Sequence, residues 1–147
     1  MTADRLAGTK ILLDTGLLVA LHRADDRWHE AAVHWLRGFD GSFVTVEAVL
    51  VEVSFFLPAR QRAALARMAA KGLIELHAPD AAGWRRIAML MDKYADQDPD
   101  LADICLVWLA EATGLRRIVT LDDADFSVYR IHGRSSFERE TWRSPAG

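Results

Sequence analysis

Carboxylates are the side chains of this sequence whose placement could support chemistry. Asp14 ends a short apolar run, Asp122 comes two residues after another, and Asp103 lies near the start of an apolar helical pattern. Glu52 borders the apolar stripe of a further predicted helix, where a carboxylate beside a hydrophobic core needs a partner. A shared divalent cation would supply that partner, because Mg²⁺ and Mn²⁺ prefer oxygen ligands.

Such a metal site would suit hydrolysis of phosphate esters. A bound cation lowers the pKa of its water, which creates a nucleophile, and neutralises the charge that develops on a phosphodiester. Other acids have simpler interpretations. We interpret Asp98 as the cap of a helix, Asp100 as an acid that stabilises the helix dipole, and Asp123 as solvent-facing.

The chain alternates short apolar runs with longer amphipathic segments. Strands are predicted at 10–14, 42–45, 73–77, 117–120 and 128–131, and helices at 17–21, 25–39, 46–57, 58–71, 80–94 and 99–113. This alternation is typical of a parallel sheet covered on both faces. The predicted class is therefore α/β, a three-layer α/β/α sandwich around a central, mostly parallel sheet. Ligands bind beyond the carboxyl ends of such strands, where Asp14 and Asp122 would both lie.

Length and composition fit one folded domain. The chain has 147 residues, of which 51% are hydrophobic, enough for a packed interior. We expect a single domain over residues 1–147, with a core at about 10–131 and a polar, frayed C-terminal end at about 133–147. No apolar run is long enough for a membrane span and no signal peptide is recognisable, so a cytoplasmic protein is expected. The single cysteine, Cys105, lies on an apolar stripe and is expected to pack in the core.

Four segments, taken in order, resemble the PIN-domain family, and specifically the VapC-type ribonuclease toxins of type II toxin–antitoxin modules. They are Ile11–Leu21 around Asp14, Thr45–Val53 around Glu52, Asp100–Ile104 around Asp103, and Val119–Phe126 with Asp122 and Asp125. The match covers roughly residues 10–131. Each segment alone is a weak signal, but four in order, with a threonine two residues before Asp122, are fairly specific.

The resemblance implies a PIN-like fold and an Mg²⁺- or Mn²⁺-dependent endoribonuclease, a hydrolase of RNA phosphodiester bonds. It identifies the catalytic acids as Asp14, Glu52, Asp103, Asp122 and Asp125, and we expect Asp14 and Asp103 to be the direct metal ligands. Whether Asp122 or one of its acidic neighbours faces the metal stays open. The resemblance also implies a small antitoxin protein as a partner, and often a homodimer.

Binding of RNA would require positive charge, which this chain lacks in bulk. Its formal net charge is −3, whereas nucleic-acid binders are usually basic. A negative pit needs flanking cations to attract a polyanion, so we predict that Arg23, Arg27, Arg60 and Arg62 bind RNA. The alternative, that they belong to ordinary solvated helix faces, fits the sequence equally well.

Two other classes of protein stay open. A receiver-like phosphoacceptor domain also places acids at strand ends, but it usually has an acidic pair after its first strand and a lysine after a late strand. Here Asp14 is followed by Thr-Gly, and the late strand leads to Thr120 and further acids. A non-catalytic PIN-like module that binds RNA or protein would typically lack one or more of the four acids, all of which are present.

Overall fold

The computed structural model describes residues 8–140 and 142–143. Its central strands are β1 Lys10–Leu13, β2 Ser42–Val46, β3 Ile74–His77 and β4 Arg117–Val119, whereas β5 Arg130–Ile131, β6 Ser135–Ser136 and β7 Glu138–Glu140 follow near the C-terminus. Five of these strands form one sheet in the order β3-β2-β1-β4-β7, and every neighbouring pair is parallel. The other two, β5 and β6, form a small antiparallel pair.

Seven α-helices are present among the described residues, and they flank the sheet. They are α1 Thr15–His22, α2 His29–Gly38, α3 Glu47–Ser54, α4 Ala59–Ala70, α5 Ala81–Lys93, α6 Leu101–Thr113 and α7 Asp123–Val128. The predicted α/β class, a three-layer sandwich around a parallel sheet, is confirmed. None of these helices combines the length and apolar character that a membrane span requires.

Strand β1 lies at the centre of the sheet because it is apolar on both faces. Ile11, Leu12 and Leu13 are fully buried, as expected for a strand covered by helices on each side. From β1 the chain adds β2 and then β3 on one side, and it later adds β4 on the other side. The carboxyl ends of β1 and β4 therefore form the switch point of the sheet, where open α/β folds bind their ligands.

Helix α6 is the most buried helix and contacts β2, α3 and α5. Cys105 is fully buried on it, which confirms its predicted role in core packing. Gly114 ends the helix with φ 78°, a left-handed conformation that glycine adopts without strain. The prediction that Asp98 caps this helix was wrong. Asp98 has φ 49° and closes a short 3-10 helix, Ala95–Gln97, instead of capping α6. Asp100 occupies the N-cap position, without a capping hydrogen bond from its side chain.

The C-terminal segment departs most from the prediction. Of the strand predicted at 128–131, only Arg130 and Ile131 form a strand, and they lie outside the main sheet. Within the end predicted to be frayed, Glu138–Glu140 instead form β7, which pairs with β4, and residues 141 and 144–147 lie outside the described part of the chain. Arg117 of β4 lies 3.4 Å from Glu138 and 4.0 Å from Glu140 of β7. Because ion pairs rather than alternating apolar residues stabilise this edge strand, hydrophobic periodicity does not reveal it.

Candidate active site

Asp14 directly follows β1 and joins the two strands of the switch point. Its Oδ1 accepts a hydrogen bond from the backbone N of Thr15 at 2.7 Å, which caps α1. Its Oδ2 accepts one from Oγ1 of Thr120, just after β4, also at 2.7 Å. The residue is only 2% exposed. The orientation of this carboxylate is therefore fixed by the backbone at the start of α1 and by a side chain beyond β4.

Thr120 relates the positions of two acids. While its Oγ1 donates to Asp14, the same atom accepts a hydrogen bond from the backbone N of Asp122 at 2.9 Å. Its carbonyl oxygen accepts a hydrogen bond from Nε1 of the buried Trp142 at 3.1 Å. The threonine two residues before Asp122 thus has a structural role, because it links the backbone after β4 to the carboxylate of Asp14.

Asp103 reaches the same place from the first turn of α6. It is 2% exposed, and its Oδ2 has no hydrogen-bond partner among the described residues. Asp14, Asp103 and Asp122 each offer an oxygen, and these oxygens all lie within 4.8 Å of one another. A buried carboxylate oxygen without a partner is costly, and a hard divalent cation held by several oxygens would satisfy it. The residues present therefore fit a hard divalent cation.

The acids of this cluster hold protons more tightly than free carboxylates do. Burial, followed by the charges of Asp14 and Asp122, raises the pKa of Asp103 to about 9. Burial also raises the pKa of Asp14 to about 7, although hydrogen bonds from Thr120 and Thr15 oppose the rise. Without a cation, the site therefore resists carrying its full negative charge.

A cavity of about 290 Å³ opens onto the cluster. It is lined by Asp14, Thr15, Gly16, Val19, Asp26, Glu52, Phe56, Leu121 and Asp122. Burial, with smaller contributions from neighbouring carboxylates, raises the pKa values of Glu52 and Asp122. The cavity is thus an acidic pit at the carboxyl edge of the sheet.

The structure separates the predicted catalytic acids by position. Asp14, Asp103 and Asp122 form the cluster, and Glu52 lines the cavity beside it. Asp125 lies on α7, outside the cluster, but its charge contributes to the raised pKa of Asp122. The adjacent Asp123, interpreted from sequence as solvent-facing, is partly exposed and forms an ion pair with an arginine near the C-terminus.

The four predicted RNA-binding arginines differ in whether they adjoin the acidic cavity. Arg23 borders a neighbouring cleft, and its guanidinium forms a bidentate ion pair with Asp25, with contacts of 3.0 and 2.7 Å. Arg27 is exposed and adjoins the cavity-lining Asp26 in the chain. Neither Arg60 nor Arg62 lines the acidic cavity. Binding of RNA by these residues stays a prediction.

Some residues near the pit were not identified from the sequence. Asp26 lines the cavity, and its Oδ1 accepts a hydrogen bond from the backbone N of Trp28 at 2.8 Å. The charge of Asp100 contributes to the raised pKa of Asp103. Arg143 lies in the segment predicted to be frayed, and its charge opposes the rise in the pKa of Asp122. No local pattern distinguishes Arg143 from other surface arginines, because its neighbours are distant in sequence.

Several solved structures share this fold. The VapC20 toxin of Mycobacterium tuberculosis, described as cleaving the sarcin–ricin loop, has a TM-score of 0.68 at 17% identity, covering 74% of this chain and 86% of that one. A toxin–antitoxin complex from Klebsiella pneumoniae gives a TM-score of 0.58 at 19% identity, covering 80% and 91%. FitAcB from Neisseria gonorrhoeae gives 0.52 at 19% identity, covering 87% and 96%. At these identities the likeness concerns the fold.

Sequence comparison addresses the family directly. No protein with curated annotation shows significant sequence similarity to this chain. The PIN domain family, however, matches residues 11–131, a range that begins in β1 and ends at β5. That range contains every acid of the cluster, and it agrees with the resemblance drawn from the four sequence segments. The chain belongs to the PIN domain family.

Proposed function

We propose that this protein is a divalent-metal-dependent endoribonuclease and the toxin of a toxin–antitoxin pair. The observation that carries the proposal is the cluster of Asp14, Asp103 and Asp122 at the switch point, with one buried carboxylate oxygen lacking a partner. Membership of the PIN domain family supports it. The likeness in fold to a toxin described as cleaving the sarcin–ricin loop supports RNA as the substrate.

In this proposal the cation is Mg²⁺ or Mn²⁺, and Asp14 and Asp103 bind it directly. Asp122 provides a third carboxylate oxygen beside theirs. The bound cation would activate a water molecule and neutralise charge that develops on the phosphodiester. Asp14 is already oriented by its two hydrogen bonds, so little reorganisation is needed for binding. Glu52 lines the cavity with a raised pKa, which suits a group that accepts a proton from the attacking water. Asp125 sits at the edge of the site and adds to its negative field.

A small antitoxin protein is the proposed partner. One structure of similar fold is described as a toxin–antitoxin complex, which supports such a partner here. A homodimer and a cytoplasmic location, both expected from the sequence, remain predictions. Size-exclusion chromatography with light scattering would test the dimer.

The test of the function is cleavage of single-stranded RNA by the purified protein in EDTA, MgCl₂ or MnCl₂. We expect cleavage only with a cation. The products should lack a 2′,3′-cyclic phosphate, because water rather than the ribose 2′-hydroxyl attacks the phosphorus. Full activity in EDTA, or cyclic phosphate ends, would contradict the proposal. Binding of RNA without cleavage under every cation would indicate a non-catalytic PIN-like module.

A further inference from the structure

Two guanidinium groups contact one indole ring beside the acidic cavity. The Cζ atom of Arg27 lies 4.6 Å from the centre of the Trp28 ring, and that of Arg143 lies 5.3 Å from it. Both distances are within the range of about 6 Å in which a cation is attracted to an aromatic ring. We call these three residues the arginine–tryptophan stack. It brings together two cations that are 116 positions apart in the sequence.

Hydrogen bonds hold the stack at the rim of the cavity. The backbone N of Trp28 donates to Oδ1 of Asp26 at 2.8 Å, and Nη2 of Arg143 donates to the carbonyl oxygen of Leu121 at 3.3 Å. Asp26 and Leu121 both line the cavity. The charge of Arg143 also opposes the rise in the pKa of Asp122. The stack is therefore within electrostatic reach of the acid cluster.

The cations around the cavity differ in how far they are already neutralised. Arg23 forms its bidentate ion pair with Asp25, and Arg143 pairs with Asp123. Arg27 is exposed, and over residues 8–140 and 142–143 no carboxylate lies within ion-pair distance of it. Its planar fork of N–H donors matches the geometry of a phosphate group. Of these three arginines, Arg27 is therefore the one whose charge is not already paired with a carboxylate and can best attract an anionic ligand.

We propose that the arginine–tryptophan stack binds backbone phosphates of the RNA strand next to the phosphodiester that is cleaved. This inference rests on the proposed function. A cavity lined by acids repels a polyanion, so affinity for RNA must come from cations held at its rim. Arg27 supplies the main contact and Arg143 a second one, through N–H groups not used by Asp123. Trp28 acts as a positioning residue, because contact with its ring limits the motion of both guanidinium groups.

The test measures affinity separately from cleavage. A fluorescently labelled single-stranded RNA of about 12 nucleotides is titrated with the full-length protein in EDTA at several salt concentrations, and anisotropy is recorded. The variants are Arg27→Ala, Arg143→Ala and Trp28→Leu. The matched control is Arg37→Ala, an exposed arginine in the last turn of α2, about 12 Å along the helix axis from its first residue, His29.

We expect Arg27→Ala and Arg143→Ala each to weaken binding by roughly 5- to 20-fold and to reduce the salt slope by about 0.7. Trp28→Leu should weaken binding without reducing the slope as much, because both charges remain. Arg37→Ala should bind like the wild type. In cleavage assays the two arginine variants should raise KM more than they lower kcat. The increase in Tm on adding MgCl₂ should be unchanged in Arg27→Ala, because that variant leaves intact both the acids and the charge of Arg143 beside Asp122.

The outcomes separate this inference from the proposed function. Wild-type affinity, salt slope and KM in both arginine variants would overturn the stack as a binding site even if RNA is cleaved. An equal loss in Arg37→Ala would overturn it too, since general charge would then explain binding. If the wild type binds RNA through the stack but cleaves none, the stack stands as a phosphate-binding site, whereas the proposed function and the placement beside a cleaved bond fail. Arg27 is exposed, so its variant remains informative even if Trp28→Leu does not fold.

Discussion

Replacing Asp103 with asparagine should stabilise the metal-free protein at neutral and higher pH. The Asp103 side chain is buried with one unpartnered oxygen, in a cluster with Asp14 and Asp122. Burial, then the charges of those two acids, raises its pKa to about 9 from 3.8. The unfolded chain therefore releases this proton near pH 4, whereas the folded chain holds it to about pH 9. Across that window the folded state loses stability as the pH rises.

The magnitude follows from the width of that window. A difference of one pKa unit corresponds to about 1.4 kcal/mol, so the interval from about pH 4 to pH 7 limits the loss in free energy of unfolding at pH 7 to about 4 kcal/mol. Water in the cavity screens the charges, and we expect roughly 1–3 kcal/mol at pH 7. Asparagine removes the titration while its amide can donate to a neighbouring carboxylate. The Tm in EDTA should rise by roughly 3–10 °C at pH 8, and the gain should shrink toward pH 4.

The assay is thermal melting of wild type and Asp103→Asn in EDTA at pH 5, 6.5 and 8, repeated with MgCl₂ or MnCl₂. The cation should stabilise the wild type, by about 2.7 kcal/mol at 100 times its Kd, and should stabilise the variant much less. Asp80→Asn is the control, because Asp80 caps α5 through the backbone N of Gly83, outside the cluster, and asparagine can also cap. An Asp103→Asn protein that melts below the wild type at every pH would refute the reasoning. So would a difference that does not depend on pH.

Three further predictions concern residues around the site and the core. Gly16→Ala should slow RNA cleavage and lower the free energy of unfolding by about 1–3 kcal/mol, because the new Cβ would lie 2.4 Å from Cγ of Leu121; unchanged kcat and Tm would count against this. Glu111→Gln should cost about 1–3 kcal/mol at pH 7, since burial of Glu111 is outweighed by hydrogen bonds from Arg86 and a backbone N–H that lower its pKa. That contribution is present above pH 4.5 and is lost as the pH falls through the lowered pKa, so wild type and variant should converge in acid melts. Tyr129→Phe should leave the free energy of unfolding unchanged or raise it by up to about 1 kcal/mol, because the buried hydroxyl has no partner among the described residues. A clear drop in Tm would argue against this.

The acids of the cluster could be found from the sequence because their signals are local. Asp14 and Asp122 follow short apolar runs, and such runs predict buried strands whose ends share one edge of a parallel sheet. Glu52 was recognisable at the edge of a helical stripe, and Asp103 near the start of another. Which acid of the 122–125 segment joins the cluster could not be predicted. That depends on the hydrogen bond from the backbone N of Asp122 to Thr120 and on the start of α7 at the next residue.

The parts that sequence reasoning missed depend on contacts between distant segments. Strand β7 is charged rather than apolar, and its ion pairs with Arg117 form only once the sheet exists. Arg143 approaches Trp28 from the other end of the chain. Such pairs leave no trace in periodicity or spacing, so a polar C-terminal segment was expected to fray.

Cleavage of RNA by Asp14→Asn is the most direct test of the central claim. The variant and the wild type are compared in MgCl₂ and in MnCl₂, with Asp80→Asn as the control for a carboxylate outside the cluster. Asparagine can retain the cap of α1, so the circular dichroism spectrum should match that of the wild type. The account predicts that Asp14→Asn loses cleavage while Asp80→Asn keeps it. Undiminished cleavage by a folded Asp14→Asn protein would contradict the claim that these acids form the active site.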